Sequence, residues 1–273
     1  MPAHGVRRRA ARKDEDVPTA VGEVRGQIAA EESGASGDHD AARYQWRWAN
    51  GIKEKRKNYD SKMDLISSKV SAHLESLVPA RHPELLAMES DARKQDFPII
   101  GPVVGHLCYQ VARMIGARRV FELGSGFGYS TAFFARAVEE NGGGVVHHVV
   151  WDEALSARAR RHLDAMGHDA VVTYHIGEAI ETLRNEAGPF DLVFNDIDKH
   201  GYPESLPVIE SKLRPGGALI VDNMLWSGRI FDNRDRSADT AGVRELTRLL
   251  TTSPRWTTSV IPIRDGVVIA VRH

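Results

Sequence analysis

The fold is decided by the stretch Val120-Phe121-Glu122-Leu123-Gly124-Ser125-Gly126-Phe127-Gly128-Tyr129-Ser130. It begins as an apolar strand pattern, continues through an acid and three alternating glycines, and runs into a helical pattern over residues 131–138. A glycine-rich turn between a strand and a helix brings bare backbone and a helix N-terminus up to a ligand. The sequence therefore predicts a ligand-binding turn at this point of an α/β fold.

The spacing of the glycines narrows the choice of ligand for this turn. A dinucleotide-binding fingerprint, G-x-G-x-x-G, would place its third glycine at position 129, where Tyr129 stands. The pattern from Glu122 to Gly128 is instead E-x-G-x-G-x-G, which resembles motif I of the class I S-adenosylmethionine (SAM) methyltransferases. In that motif the glycines admit the methionyl part of the cofactor. Taken alone, the motif also allows a purely structural turn or another nucleotide cofactor.

The composition argues against several other classes of protein. The chain has 273 residues, of which 42% are hydrophobic, so it can bury a full core. Its formal net charge of -1 gives no global argument for a nucleic-acid or membrane partner, and no apolar run approaches the roughly 20 residues of a membrane span. The single cysteine, Cys108, excludes an internal disulfide. The basic start at residues 7–13 lacks a following apolar stretch, so we expect no secretory signal and a cytoplasmic protein.

The N-terminal third of the chain differs from the rest in composition and in the pattern of its apolar residues. Residues 1–42 are polar and rich in small residues, which predicts a disordered tail. Residues 43–95 predict a helical extension that packs on the main domain or on a second subunit, and we expect a homodimer. Its apolar residues recur at helical spacing: Trp46, Trp48, Ile52, Tyr59, Met63, Ile66 and Val70.

Residues 96–273 alternate strand and helix at short intervals. The predicted strands are Arg119–Leu123, Val145–Trp151, Ala170–His175, Phe190–Asn195, Ala218–Val221, Trp256–Pro262 and Val267–Arg272. This alternation predicts a doubly wound, mostly parallel seven-stranded Rossmann-like sheet with helices on both faces. The turn Arg264-Asp265-Gly266 predicts that the last two strands form an antiparallel hairpin, which is typical of a class I methyltransferase domain.

Oxygen ligands follow two neighbouring strands of this predicted sheet. Asp196 follows the fourth strand, and Asp222 and Asn223 follow the fifth. Ligands in open α/β sheets bind beyond the carboxyl ends of the strands. Three oxygen donors suit a hard divalent cation, Mg²⁺ foremost, with Ca²⁺ or Mn²⁺ as alternatives. Each residue taken separately is also explained as a helix cap or a turn former.

The pattern D-x-D-K-x-x-Y at 196–202 is followed by D-N-x-L-W-x-G at 222–228. Together they resemble the cation-dependent O-methyltransferases, a family that includes catechol and caffeoyl-coenzyme A O-methyltransferases. The likeness runs from about Pro79 to His273. It implies transfer of a methyl group from SAM to a hydroxyl of a small catechol-type substrate, with the metal chelating the diol.

The resemblance also assigns residues. It implies that Asp196, Asp222 and Asn223 ligate the metal and that Lys199 is the catalytic base, with a pKa lowered beside the cation. Tyr202 and Trp226 match aromatic residues near the substrate pocket, although either is equally explained as core. The loop Phe97–Gly101 corresponds to a segment that closes over the cofactor. The implied cofactor contacts are Glu122, Gly124, Ser125, Gly126, Ser130, Asp152, Ala179 and Asp196, with Glu178 as a weaker candidate.

Some alternatives stay open. The family ends its second strand with an acid that binds the ribose. In this chain Asp152 is one candidate for that acid. In the alternative alignment Val150 stands in the acid's place, and Asp152 only caps the next helix. The basic segments 7–13 and 53–57 keep open a hydroxyuridine of transfer RNA as the methyl acceptor. A non-catalytic SAM-binding protein is a further alternative. The scattered histidines show no metal-ligand spacing and receive no role: His106, His147, His148, His162 and His175.

Overall fold

The computed structural model describes residues 66–273. The expected tail over residues 1–42 lies outside the described residues. Residues 43–65 of the predicted helical extension lie outside them as well. Five members of its apolar stripe are therefore not described: Trp46, Trp48, Ile52, Tyr59 and Met63. Of the two described members, Ile66 is half-buried and Val70 is 47% exposed.

Three helices precede the sheet: α1 (Ser68–Ser76), α2 (Pro83–Gln95) and α3 (Gly101–Met114). The α2 helix begins with a proline in its first turn, where the missing N–H costs no hydrogen bond, and His82 Nδ1 accepts from the backbone N–H of Glu84 at 3.1 Å. Its residues Leu85 and Met88 are buried in the same apolar cluster as α3. The α2 helix is therefore part of the core that carries the sheet.

The remaining elements alternate as the sequence predicts. The strands are β1 (Arg119–Leu123), β2 (Val145–Val150), β3 (Val172–Ile176), β4 (Phe190–Asn195), β5 (Leu213–Val221), β6 (Trp256–Ile261) and β7 (Val267–Arg272). The helices are α4 (Tyr129–Glu140), α5 (Glu153–Ala165), α6 (Ala179–Asn185), α7 (Tyr202–Lys212) and α8 (Ala238–Thr252). The strand order is β3-β2-β1-β4-β5-β7-β6, and β7 runs antiparallel to both of its neighbours. The predicted fold class and the C-terminal hairpin are confirmed.

Both faces of the sheet are covered. Val120 packs into the cluster formed with α2, α3 and α4, whereas the next residue, Phe121, packs into the cluster formed with α6, α7 and α8. Successive side chains of a strand point to opposite faces, so a sheet with two covered faces needs continuous apolar strands. This explains why β1 shows no alternation of apolar and polar residues.

Two strands begin at other residues than predicted, and the ends of β2, β3 and β6 each differ from the prediction by one residue. The β5 strand begins at Leu213 rather than Ala218, because Leu213 pairs with Phe190 across an irregularity before the regular register resumes. The β3 strand begins at Val172 rather than Ala170, because residues 169–171 form a turn of 3-10 helix. The carboxyl ends of all seven strands therefore lie within one residue of the prediction.

The register aligns the carboxyl ends of three central strands. Leu123 of β1 pairs with Asn195 of β4, and Asn195 pairs with Val221 of β5. The backbone N–H of Asp196 then donates to the Leu123 carbonyl at 3.0 Å, and that of Asp222 donates to the Asn195 carbonyl at 3.3 Å. The glycine turn and the two aspartates therefore start from one edge of the sheet.

Among residues 66–273, no helix combines the length and the apolar character needed to cross a bilayer.

The packing of α4 on β4 predicts the cost of a core truncation. Phe134 has no exposed surface, and its ring centroid lies 5.5 Å from that of Phe194. We expect Phe134→Ala to lower the free energy of unfolding by about 3–5 kcal/mol, because it leaves a cavity in a packed core. The control Met114→Ala removes a side chain that is 84% exposed and should change it by less than about 0.5 kcal/mol. Urea denaturation measures both, and equal effects would contradict the packing described.

Candidate active site

The glycine turn has backbone geometry that requires glycine. Gly124, Gly126 and Gly128 have φ values of 86°, 52° and 89°. A Cβ on Gly124 would lie 2.8 Å from the backbone oxygen of Asp196, and one on Gly126 would lie 3.2 Å from the ring of Phe97. The turn is therefore packed between the end of β4 and the loop 97–101. The Phe97 ring also meets that of Phe127 edge to face, with centroids 5.0 Å apart.

Glu122 is a fully buried acid at the end of β1. Its carboxylate accepts hydrogen bonds from the hydroxyls of Ser130 and Thr131, the latter at 2.5 Å. Burial raises the pKa of Glu122 to about 7, against the opposing effect of these hydrogen bonds. Glu122 thus connects β1 to the first turn of α4 and is poised to change its charge near neutral pH.

Ser125 connects the glycine turn to β2. Its hydroxyl oxygen accepts from the backbone N–H of Val149 at 2.9 Å, and its own N–H donates to the Val149 carbonyl at 3.0 Å. Both Ser125 and Ser130 are buried, at 4% and 6% exposure. The two predicted cofactor serines therefore already support the turn through their side chains.

Asp152 follows β2 and caps α5. The strand ends at Val150, and Asp152 Oδ1 accepts from the backbone N–H of Leu155 at 2.9 Å. This is the capping role that the sequence left open for Asp152, and ribose binding by this residue stays a prediction. Likewise Glu178 caps α6 by accepting from the N–H groups of Ile180 and Glu181, while the adjoining Ala179 is 5% exposed.

Asp222 is a buried acid of which one carboxylate oxygen has a partner in the described residues and the other has none. It is 1% exposed, and burial raises its pKa to about 6 while the nearby guanidinium of Arg264 opposes the rise. One carboxylate oxygen, Oδ2, accepts from Arg264 Nη1 at 3.0 Å. The other, Oδ1, is buried and has no hydrogen-bond partner in the described part of the chain. A buried carboxylate oxygen with no donor is costly, and a bound cation would satisfy it.

Asn223 is oriented by the C-terminal hairpin. Its backbone is left-handed, with φ of 59°, a conformation that asparagine tolerates. Its amide nitrogen donates to Asp265 Oδ2 at 3.1 Å, which leaves the amide oxygen as its remaining ligand atom. Asp196, Asp222 and Asn223 together offer oxygen donors only, so the residues present fit a hard divalent cation.

Lys199 is a buried ammonium beside Asp196. Its Nζ lies 2.6 Å from Asp196 Oδ1 and donates to the Ile197 carbonyl at 3.0 Å. Burial lowers the pKa of Lys199, but the negative charge of Asp196 outweighs it and the net pKa is raised. This direction is opposite to the lowered pKa expected beside a cation, because the carboxylate of Asp196 is the direct partner of the lysine.

The two predicted pocket aromatics flank Lys199. Its Nζ lies 5.0 Å from the ring centroid of Tyr202 and 5.9 Å from that of Trp226. Tyr202 has no exposed surface, and its hydroxyl donates to the carbonyl of Asp222 at 2.8 Å. Trp226 is 7% exposed. Both belong to the core cluster under α6–α8, which matches the core alternative noted for them.

The β6–β7 turn contributes side chains to the site that no sequence motif predicts. Arg264 Nη2 donates to the Ile99 carbonyl at 2.5 Å while Nη1 donates to Asp222, so this side chain joins the loop 97–101 to the acidic cluster, which consists of Asp196 and Asp222. Asp265 Oδ1 accepts from the backbone N–H of Ser227 at 2.5 Å. The Arg264–Asp222 contact spans 42 positions and the Arg264–Ile99 contact 165. Local spacing carries no signal for such contacts; the Asp-Gly turn itself was the only visible feature.

Comparison with known proteins places the chain in a family. A family model described as O-methyltransferase matches residues 99–273. The chain is 27% identical over 217 residues to the catechol O-methyltransferase of Niastella koreensis, an alignment that covers 76% of this chain and 97% of that protein.

Solved structures give the same picture. The O-methyltransferase TomG of Streptomyces achromogenes, solved in complex with SAM, is 28% identical with a TM-score of 0.68, covering 75% of this chain and 96% of TomG. An O-methyltransferase of Bacillus cereus, 24% identical with a TM-score of 0.69, shares the fold and covers 75% of this chain and 97% of its own. Since the family model covers well over half of the sequence and spans the glycine turn, the acidic cluster and the hairpin, the chain belongs to the O-methyltransferase family.

Proposed function

We propose that this protein transfers a methyl group from SAM to a hydroxyl of a small catechol-type substrate in a reaction that depends on a divalent metal ion. The observation that carries the proposal is the buried edge of the sheet where Lys199 contacts Asp196 at 2.6 Å and Asp222 keeps one oxygen without a partner. The TomG relative, solved with SAM, and the catechol O-methyltransferase of N. koreensis support the cofactor and the acceptor class.

The cofactor would lie along the glycine turn, against the first turn of α4. Gly124 and Gly126 leave the backbone bare there, and the N-terminus of α4 offers N–H groups to a carboxylate. Glu122 would contribute a negative charge beneath the cationic cofactor, with Ser125 and Ser130 holding the turn in place. The loop 97–101 already covers Gly126 through Phe97 and would close over the methionyl side.

Asp196, Asp222 and Asn223 would hold the metal, with Mg²⁺ the first choice for three oxygen donors. A divalent cation at this place would lower the pKa of a substrate hydroxyl bound to it. Asp222 would use the oxygen that lacks a partner, and Asn223 the amide oxygen left after its nitrogen bonds Asp265. Asp196, once it also ligates the metal, would hold the ammonium of Lys199 less strongly, and the pKa of Lys199 would then be lower.

Lys199 would then serve as the general base. Its Nζ would accept the proton of the reacting hydroxyl, and the resulting oxygen anion would take the methyl group as the carbon–sulfur bond of SAM breaks. Tyr202 and Trp226 wall the ammonium on two sides and exclude water from it. Because SAM is already an activated methyl donor, the chain contributes mainly position and control of charge.

We also propose a homodimer, supported by apolar side chains left exposed on and near the first two helices. Val70, Leu77 and Leu86 are 47%, 64% and 47% exposed. The alternative acceptor, a hydroxyuridine of transfer RNA, depends on the basic segments 7–13 and 53–57, which lie outside the described residues.

Methyl transfer itself is the first test. We expect labelled SAM to transfer its methyl group to members of a panel of catechols and caffeoyl esters with Mg²⁺, and product to disappear when a chelator replaces the metal. Product that persists with chelator would refute the metal dependence. No product, with SAM bound by calorimetry, would refute the catechol-type acceptor, and transfer RNA would be the next acceptor to assay.

The role of Lys199 predicts a separation of catalysis from cofactor binding. Lys199→Ala should lower kcat by about 10²–10⁴-fold, the usual contribution of a general base, while the Kd for SAM changes little. The control Lys94→Ala removes an exposed lysine from α2 and should leave both constants unchanged. A Lys199→Ala enzyme with normal kcat across the pH range would rule out the general-base role.

Glu122 predicts a pH dependence of stability in the protein without cofactor. Its folded-state pKa of about 7 lies above the unfolded value, so its contribution is fully present below about pH 4.3 and is lost as pH rises through 7. We expect the stability of Glu122→Gln relative to the parent, measured as the difference between their free energies of unfolding, to increase from pH 5 to pH 8. The affinity of the variant for SAM should be lower than that of the parent. Urea denaturation at several pH values measures the first effect. The control Glu245→Gln, at a surface acid that pairs with Arg248, should show no such gain, and parallel pH curves for parent and Glu122→Gln would contradict the assignment.

A further inference from the structure

A second cluster of metal-binding side chains lies away from the acidic edge. His147 of β2, His175 of β3 and Glu186, the residue that follows α6, each offer one ligand atom, and these atoms all lie within 4.8 Å of one another. The register pairs His147 with Thr173 and His175 with Val149, so the two histidines are diagonal neighbours on one face of the sheet. His148, which follows His147 in β2, lies on the other face of the sheet against Tyr174. The spacing of His147 and His175 in the sequence does not predict a metal site.

The distances suit a tetrahedral ion. His147 Nδ1 lies 3.0 Å from His175 Nε2 and 3.7 Å from Glu186 Oε2. A zinc ion with bonds of about 2.0–2.1 Å holds its tetrahedral ligand atoms about 3.3 Å apart, a value that the two distances bracket. On the third side, His175 faces Glu186 Oε1 with its Nδ1 at 3.8 Å, and the three ligand atoms lie within 4.8 Å of one another. Rotation of the His175 and Glu186 side chains would bring all three ligand atoms around one ion.

The surroundings also favour an ion of this kind. His147 is 7% exposed and is walled by Phe121 and Phe190, whose ring centroids lie 5.5 Å and 5.3 Å away. His175 and Glu186 are half-buried, which leaves an open side for entry of the ion and for a water molecule as fourth ligand. The nearby cation Arg119 is held elsewhere, because it donates to the Ala187 carbonyl at 2.5 Å.

We propose that His147, His175 and Glu186 form a second metal site that binds Zn²⁺ or a similar borderline transition-metal ion. Two imidazoles and one carboxylate prefer such ions, whereas the all-oxygen set at Asp196 prefers Mg²⁺. The site joins β2, β3 and the end of α6, so the bound ion is a structural brace at this edge of the sheet. The proposal does not rest on the catechol-type activity. The competing explanation is a metal-free hydrogen bond between the histidines with Glu186 beside them.

The test is zinc binding by the full-length protein without a histidine tag, stripped with chelator and titrated by calorimetry with ZnCl₂ in excess Mg²⁺. We expect one zinc ion per chain and a higher Tm with zinc, since a ligand that binds only the folded state stabilises it. His175→Gln should weaken zinc binding at least about tenfold. Glu186→Gln should weaken it as well, and serves if His175→Gln fails to fold. Co²⁺ in place of zinc should give the visible absorption of a four-coordinate site.

Two controls separate this site from other zinc ligands. His168→Gln breaks a histidine–carboxylate pair, in which Nδ1 lies 2.8 Å from Glu139 Oε2 and which has no second histidine, and should bind zinc like the parent. Asp196→Asn should lose Mg²⁺-dependent methyl transfer and keep zinc binding, so the two proposals fail separately. Absence of zinc binding, or equal affinity in the parent, His175→Gln and Glu186→Gln, would overturn the proposal and leave the hydrogen-bonded pair.

Discussion

Parallel pairing of β1, β4 and β5 in one register is the constraint on which the site depends. Asn195 pairs with Leu123 on one side and with Val221 on the other, so the residues that follow these three emerge at the same edge. The glycine turn can lie against the backbone of Asp196 only because Gly124 has no Cβ. A slip of one residue in any of these strands would exchange its two covered faces and move one of these groups away.

The charges at this edge are buried to an unusual degree. Glu122, Lys199 and Asp222 are all less than 8% exposed. Burial of ionised groups is costly unless partners compensate, and each of the three is compensated in a different way. Hydroxyl donors serve Glu122, the carboxylate of Asp196 serves Lys199, and Arg264 serves one oxygen of Asp222. The second oxygen of Asp222, Oδ1, has no hydrogen-bond partner among the described residues.

The C-terminal hairpin completes the edge from the far end of the chain. Arg264 adopts φ of 51°, a strained backbone for a non-glycine residue, and from there contacts both Asp222 and the loop 97–101. Asp265 fixes the amide of Asn223 and the backbone of Ser227. The hairpin therefore sets the geometry of the acidic cluster and connects it to the segment that covers the glycine turn.

The sequence by itself determined the fold class, the order of the elements and the positions of the glycine turn, Asp196 and Asp222. Those features follow from short-range patterns: strand and helix periodicity, turn residues, and motifs of a few residues at the ends of strands. Only the tertiary structure decided that Arg264 holds Asp222, that Asp152 caps a helix and that His147 meets His175. The contacts of Arg264 and of the two histidines join residues 28–165 positions apart, and their geometry depends on strand register and side-chain packing rather than on spacing along the chain. Asp152 is a local case in which the same acid satisfies two sequence patterns, and only the observed end of β2 at Val150 shows which backbone groups it meets.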